Sequence, residues 1–212
     1  MERLKPLITR EQFKDRWSEL HNAAPTTGIV GRWLAISYRF GLLCTLLRIT
    51  PNVLTMLGLI SAIGVAFTAQ SPWAIALIVV SLFFDGIDGS VAIFQNRASN
   101  WGALLDSVVD RISEALWLYA LYVIGIPAYL CIALWLVASI QEYMRARVSS
   151  LGVKDLGLVT FTERPVRASF IFIVLIAWQL DLPGIDIATW AFLGASLFSA
   201  ISVMRFAYSR LR

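Results

Sequence analysis

Much of this chain consists of stretches with few or no charged residues, each close to the length that a bilayer requires. An α-helix needs about 20 apolar residues to cross the hydrocarbon core of a membrane. Such stretches recur from residue 51 to near the end of the chain. They predict an all-α integral membrane protein with six transmembrane helices. We place these helices at 51–70, 73–94, 101–126, 127–141, 165–180 and 187–204.

Composition agrees with a protein that contacts lipid. Of the 212 residues, 58% are hydrophobic and 15% are charged, whereas a soluble domain carries about 25% charged residues. The net charge of +4 comes without a basic arm or a lysine-rich run, so we expect no nucleic-acid partner. Cys44 and Cys131 lie in apolar stretches without metal-ligand spacing, which excludes a disulfide framework or a zinc site.

The first helix of the N-terminal segment has the pattern of an interfacial helix. Thr9 and Gln12 have the spacing of a capping box. Phe13, Trp17 and Leu20 share one face, opposite basic residues. We therefore expect this helix to lie along the membrane surface.

A second apolar helix is predicted over 31–47. It carries two arginines, and we place it at the interface rather than entering the bilayer. The predicted organisation is a cytoplasmic segment, 1–50, followed by a six-helix membrane domain, 51–212.

Basic residues predict the orientation. The three turns assigned to the outer side, 70–72, 125–127 and 181–186, contain no Lys or Arg. All 18 basic residues fall on the other side or in helix ends that reach it, and the positive-inside bias makes that side cytoplasmic. Both termini and the loops 95–100 and 149–164 are then cytoplasmic.

Four aspartates form the most informative cluster. Asp85 and Asp88 are three residues apart, and Asp106 and Asp110 are four apart, so each pair shares a helical face. The short polar loop 95–100 joins the two helices as an antiparallel hairpin, which brings the pairs to similar depth. Acids inside a membrane cost about 2.5–3.5 kcal/mol each on insertion scales. Without His or Cys nearby, oxygen ligation of this kind suits Mg²⁺ or Mn²⁺.

Small residues accompany the aspartates. Gly89 and Ala92 each follow an aspartate of the first helix by four residues, and Gly102 precedes Asp106 by four. Their lack of bulk lets a ligand approach the helix backbone closely. A two-metal site that admits a diphosphate fits this pattern.

This arrangement resembles the CDP-alcohol phosphotransferase family, whose signature is D-x2-D-G-x2-A-R-x8-G-x3-D-x3-D. Seven of its eight fixed positions are present over 85–110, and the departure is Ile93, where the family has Arg. Thr50, Pro51 and Asn52, which open the first span, also resemble the start of the family domain. In length the chain is similar to bacterial phosphatidylinositol phosphate and phosphatidylglycerol phosphate synthases. The matching residues are Asp85, Asp88, Gly89, Ala92, Gly102, Asp106 and Asp110.

The resemblance implies an enzyme that transfers a phosphatidyl group from CDP-diacylglycerol, or a similar CDP-alcohol, to an alcohol with release of CMP. Two Mg²⁺ or Mn²⁺ ions would be held by the four aspartates, and Asp110 would also be the general base. The nucleotide would bind against Asp85, Gly89, Ala92 and Gly102. A homodimer in the bacterial plasma membrane, with a cytoplasmic active site, is implied in the same way.

The acceptor alcohol is left open between inositol phosphate and glycerol phosphate. Family members that make phosphatidylinositol phosphate usually have a small polar residue where Glu142 falls, and a carboxylate there would repel a phosphorylated acceptor, which weakens that assignment. Arg111 and Glu114 flank the site. For these two residues an ion pair and a catalytic role are both open alternatives. Six arginines are candidates for contacts with the acceptor or the diphosphate, and the alternative is simple anchoring at the membrane surface. They are Arg97, Arg145, Arg147, Arg164, Arg167 and Arg205.

Two other functions are consistent with buried acids in a helical bundle. An ion-coupled transporter uses such residues along its ion path, although no helix pair broken by Gly or Pro at mid-membrane supports it. A catalytically weak paralogue with a binding or regulatory role would explain the loss of Arg at Ile93.

Overall fold

The computed structural model describes residues 8–20, 26–153 and 160–212. Within these ranges every regular element is a helix and no strand is present, which confirms the predicted all-α class. The helices are α1 (Arg10–Leu20), α2 (Gly28–Leu46), α3 (Pro51–Phe67), α4 (Trp73–Phe94), α5 (Asn100–Val123), α6 (Ala128–Ser150), α7 (Arg164–Gln179) and α8 (Ile185–Leu211).

Two helices of the described ranges are long and apolar enough to cross a membrane: α4, with 22 residues, and α8, with 27. Counting the pair α2 and α3 as one broken span, bent by 107°, adds a third. Helix α7 has only 16 residues, fewer than the about 20 that a straight crossing needs. Helices α5 and α6 are long enough but carry several charged side chains. The structure thus supports two or three spans, and the number six stays a prediction.

The bend between α2 and α3 has a local cause. Arg48 adopts a left-handed conformation with φ of 59°. The Ile49 amide donates to the Cys44 carbonyl at 2.8 Å, which is the bond that closes a Schellman motif at a helix C-terminus. Pro51 is then the first residue of α3, a position where its missing N–H removes no helical hydrogen bond. The chain therefore ends one helix and begins the next within a few residues.

The first of two compact units consists of the described parts of 1–60 and 81–110. It contains α1, α2, most of α3, the second half of α4 and the first half of α5. The capping box of α1 forms as predicted, since the Thr9 amide donates to Gln12 Oε1 at 2.9 Å and the Gln12 amide donates to Thr9 Oγ1 at 3.2 Å. Two buried apolar clusters hold these helices together. They are formed by Phe13, Leu34, Ile93 and Phe94, and by Cys44, Leu54, Ile87 and Val91.

The second unit consists of 61–80 and the described parts of 111–212. Within it α8 packs along α6 and also contacts α7. The Phe170 and Phe192 rings stack with centroids 4.0 Å apart, and Trp117 is fully buried. Since the units interleave along the chain, they do not test the predicted domain boundary at residue 50, which stays a prediction.

Candidate metal and nucleotide site

Three of the four predicted metal ligands come together within the first unit. Asp85 on α4 and Asp106 and Asp110 on α5 each place a carboxylate oxygen within 4.8 Å of the other two. All three residues are half-buried. Like charges at this separation repel each other, and a bound divalent cation offsets that repulsion. The all-oxygen donor set fits Mg²⁺ or Mn²⁺.

Asp88 has a different environment. It is 5% exposed, and its carboxylate accepts a hydrogen bond from the Thr55 hydroxyl of α3. It lies outside the group of three carboxylates. Thr55 thus orients this carboxylate, and the predicted role of Asp88 as a metal ligand stays a prediction.

A cavity of about 460 Å³ lies in the first unit and includes both α4 aspartates. This volume falls within the range of about 300–1,000 Å³ that ligand pockets usually have. The residues predicted to bind the nucleotide all line it, together with Asp88 and Asp106. From the predicted set, the lining residues are Asp85, Asp88, Gly89, Ala92, Gly102 and Asp106.

The two motif glycines that line this cavity have different surroundings. A Cβ atom added to Gly89 would have no atom within 4 Å, so the backbone there faces open space. A Cβ atom added to Gly102 would lie 3.2 Å from Ser99 Oγ and 3.6 Å from Asn52 Oδ1. The first glycine leaves room for a ligand, and the second allows the start of α3 and α5 to approach each other.

Arg97 also lines the cavity, but from a loop. Helix α4 ends at Phe94 because Asn96 is left-handed, with φ of 54°, and the Arg97 amide donates to the Ala92 carbonyl at 2.8 Å. This is again the bond that closes a Schellman motif. Arg97 therefore lies in the loop after α4, and its exposed side chain borders the site.

Within the second unit, two of the five arginines predicted as acceptor contacts are paired with carboxylates. Arg167 is 4% exposed. Its Nε donates to Glu114 Oε1 and its Nη2 donates to Glu142 Oε1 at 3.2 Å. Arg145 Nη2 lies 2.6 Å from Glu163 Oε1. The charges of both arginines are therefore offset by acidic side chains of this same unit.

The other arginines of this unit differ in exposure. Arg164 lies over the Trp117 ring with its Cζ 5.4 Å from the ring centroid. Arg147 is exposed, and its Nη1 donates to Ser150 Oγ at 3.4 Å. Arg205 is exposed on α8. Arg147 and Arg205 thus remain accessible to solutes or lipid head groups.

Arg111 and Glu114 form the ion pair that the sequence left open against a catalytic role, with Nη1 2.8 Å from Oε2. Because Glu114 is 1% exposed and also accepts from Arg167, it lies in a buried ionic network.

Sequence reasoning missed several residues that line the cavity. Thr55 and Trp33 were assigned no part in the site, and Trp17 was assigned only to the apolar face of an interfacial helix. A signal for Thr55 existed in the sequence, because it lies one helical turn after Pro51 on the helix that opens with the family-like tripeptide. Trp33 had no such signal, since its position depends on how α2 packs against α4.

Comparisons with known proteins agree with this geometry. Archaetidylinositol phosphate synthase of Aeropyrum pernix is 36% identical over 137 residues, which cover 56% of this chain and 71% of the relative. Phosphatidylinositol phosphate synthase of Corynebacterium glutamicum is 34% identical over 169 residues, which cover 73% of this chain and 76% of the relative.

Solved structures show the same fold. The crystal structure of Mycobacterium tuberculosis phosphatidylinositol phosphate synthase with CDP-DAG bound superposes with a TM-score of 0.71 at 20% identity, over 82% of this chain and 94% of that one. The structure of that enzyme in complex with manganese and citrate gives a TM-score of 0.67 at 22% identity, over 81% and 88%. The family model described as CDP-alcohol phosphatidyltransferase matches residues 48–202. With the aspartate cluster and the open glycines in place, the chain belongs to the CDP-alcohol phosphatidyltransferase family.

Proposed function

We propose that this protein transfers a phosphatidyl group from CDP-diacylglycerol to an inositol phosphate acceptor and releases CMP. The observation that carries this proposal is the convergence of Asp85, Asp106 and Asp110, two of which line the cavity together with Gly89. The donor is that of the solved relative, whose structure contains CDP-DAG. The acceptor corresponds to the names of the relatives from Aeropyrum pernix and Corynebacterium glutamicum.

The aspartates have distinct parts in the proposed reaction. Asp85, Asp88, Asp106 and Asp110 would hold two divalent cations, which offset the negative charge of the diphosphate. Asp110 removes the proton from the acceptor hydroxyl. The acceptor oxygen then bonds to the phosphorus distal to cytidine, the bond from that phosphorus to the oxygen of CMP breaks, and CMP leaves. Chemistry of this kind requires positioning and charge neutralisation more than covalent help.

The nucleotide part of the donor occupies the cavity beside Gly89, Ala92 and Gly102. Gly89 supports this placement because its backbone faces open space. Arg97 is the candidate cation for the diphosphate in place of the motif arginine, since it lines the same cavity.

Glu142 is compatible with a phosphorylated acceptor in this structure. Its carboxylate lies 3.2 Å from Arg167 Nη2, so its negative charge is offset rather than left to repel a phosphate. Arg147, which is exposed, is the accessible candidate for contact with the acceptor phosphate. Glycerol phosphate is the second candidate acceptor, and direct comparison distinguishes the two.

The proposed enzyme is an integral membrane protein of the bacterial plasma membrane, with six spans, interfacial helices α1 and α2, cytoplasmic termini and a cytoplasmic active site. The basic residues of the chain and the absence of Lys and Arg from the three outer turns support this orientation. A homodimer is proposed from the resemblance to the family alone.

The test is release of CMP by purified protein in detergent micelles. With CDP-diacylglycerol and Mg²⁺ or Mn²⁺, we expect inositol phosphate to support faster release than glycerol phosphate or free inositol. Asp106→Asn should lower the rate at least about 100-fold while the thermal unfolding temperature stays near that of wild type. Near-normal activity of this variant would contradict the metal site, and faster release with glycerol phosphate would reassign the acceptor.

A further inference from the structure

The cavity has a wall that lies outside the region matched by the family model. Trp17 and Leu20 of α1 and Trp33 of α2 all line it, whereas the family match begins at residue 48. Two N-terminal helices thus contribute large apolar side chains to the cavity that contains Asp85 and Asp106.

Helix α1 is held in place by an apolar cluster. Phe13 of α1 is fully buried and its ring centroid lies 6.4 Å from that of Phe94. Trp17 packs against the same cluster, which also includes Leu34 and Ile93. The position of Trp17 at the cavity is therefore set by buried contacts on the inner face of its helix.

A hydrogen bond and a ring contact reinforce this docking. The Tyr38 hydroxyl of α2 donates to the Ile8 carbonyl, two residues before α1 begins, at 3.1 Å. The Tyr38 ring also packs on Phe13 with centroids 5.8 Å apart. The start of α1 is thereby joined to α2 through both polar and apolar contacts.

The one broken position of the family signature belongs to this cluster. Ile93 stands where the signature has Arg, and it is 7% exposed among Phe13, Leu34 and Phe94. Ile93 lines the cavity as well. A buried guanidinium at this position would lack a charged partner within the apolar cluster, and such burial is costly. The departure from the signature thus replaces a cation with an apolar contact that holds α1.

Trp33, which α2 contributes to the cavity wall, also lies next to the motif residues of α4. A Cβ atom added to Gly86 would lie 2.8 Å from Trp33 Cζ2, so the indole of Trp33 lies against the backbone of α4 next to Asp85. Glycine at position 86 is what makes room for it. Two indoles from two N-terminal helices therefore border one cavity.

We infer that Trp17 binds the nucleotide part of the donor, with α1 as a wall of the pocket and Phe13 and Ile93 as positioning residues. This inference rests on the proposed function, because the ligand is the cytidine diphosphate group. Aromatic side chains stack on nucleobases whatever their sequence context, since every base has a π face. An indole gives the largest such surface among the side chains and keeps a polar N–H at its edge.

The experiment uses the full-length protein in detergent micelles with Mg²⁺ and compares Trp17→Leu with a matched control, Trp73→Leu. Trp73 is 69% exposed at the first turn of α4 and does not line the cavity. We expect Trp17→Leu to raise the KM for CDP-diacylglycerol about 10-fold, the order of effect of losing one base–aromatic stack, with kcat within twofold of wild type. Titration with CMP should change the tryptophan fluorescence of wild type and of Trp73→Leu, and this change should be largely lost in Trp17→Leu.

A second variant tests whether the docking of α1 positions Trp17 for its contact with the donor. Phe13→Ala removes the buried anchor of α1, and Phe13 does not line the cavity. We expect it to raise the donor KM as Trp17→Leu does, and the two substitutions together should raise it by no more than about twofold beyond either alone, since both remove the same contact.

Different results would refute the proposed function and the inference about Trp17. Wild-type protein that releases no CMP would refute the proposed function. Wild-type protein that releases CMP while Trp17→Leu retains its donor KM and its CMP-induced fluorescence change would refute the inference alone. A fluorescence change of Trp17 with CDP-diacylglycerol and none with CMP would also refute it, because the indole would then contact the lipid part of the donor.

Discussion

Replacing Arg167 tests whether this buried charge of the second unit holds the fold or contacts the acceptor. The side chains of Arg167 and Glu114 are 5% and 1% exposed, and they form an ion pair that joins α7 to α5. Removing one partner of a buried ion pair costs about 3–5 kcal/mol, because the other charge stays buried without compensation. Arg167→Met makes this change at nearly constant side-chain volume.

The expected magnitude is at the lower end of that range. Glu114 keeps a second partner, since Arg111 Nη1 lies 2.8 Å from its Oε2, and Glu142, which loses its contact with Arg167, is 30% exposed and can be solvated. We therefore expect a loss of about 3 kcal/mol. At about 2–4 °C per kcal/mol for a chain of this size, the unfolding temperature should fall by about 6–12 °C.

The assay is thermal unfolding in detergent micelles followed by intrinsic fluorescence, with Arg147→Met as the matched control. Arg147 is exposed, so its replacement should shift the unfolding temperature by no more than 1–2 °C, as surface substitutions usually change stability by less than about 0.5 kcal/mol. The double variant Arg167→Met/Glu114→Leu should recover part of the loss, because it leaves no uncompensated buried carboxylate. An unfolding temperature for Arg167→Met equal to that of wild type would refute the structural role.

Three further results are expected. Arg97→Ala should raise the donor KM by about one to two decades, the cost of one charge-assisted contact of roughly 1.5–3 kcal/mol, and an unchanged KM would place the compensating cation elsewhere. Thr55→Val should lower the rate of CMP release without unfolding the protein, because Asp88 loses the hydroxyl that orients it, and a rate equal to wild type would show that this hydrogen bond is dispensable. Single cysteines at Ser99 and Gly184 should react with impermeant reagents from opposite sides of the membrane, and labelling from the same side would contradict the six-span topology.

The parts of the structure that sequence predicts well are those set by spacing within one helix or hairpin. The interval between Asp106 and Asp110, and the short loop that joins α4 to α5, are sufficient to bring their carboxylates toward Asp85. The capping box at Thr9 depends on three intervening positions only. Such features follow from helical geometry alone.

The sequence does not predict features that depend on packing between distant segments. Arg167 pairs with Glu114 across 53 positions of sequence, and no local pattern selects that partner among the acids. The replacement of the motif arginine by Ile93 is explained by the packing of Ile93 with Phe13, which no sequence pattern indicates. By contrast, the end of α4 at Phe94 is local, and the polar loop that follows it predicted this boundary.

Mn²⁺ binding tests directly, without reference to turnover, whether Asp85, Asp106 and Asp110 hold divalent cations. Electron paramagnetic resonance measures the free Mn²⁺ that remains when the metal is titrated into purified protein. We expect wild type to take up two Mn²⁺ ions per chain, and Asp106→Asn to bind them at least about 10-fold more weakly. Asp186→Asn, on an exposed residue in the first turn of α8, should bind as wild type does. Equal uptake by Asp106→Asn and wild type would contradict the account.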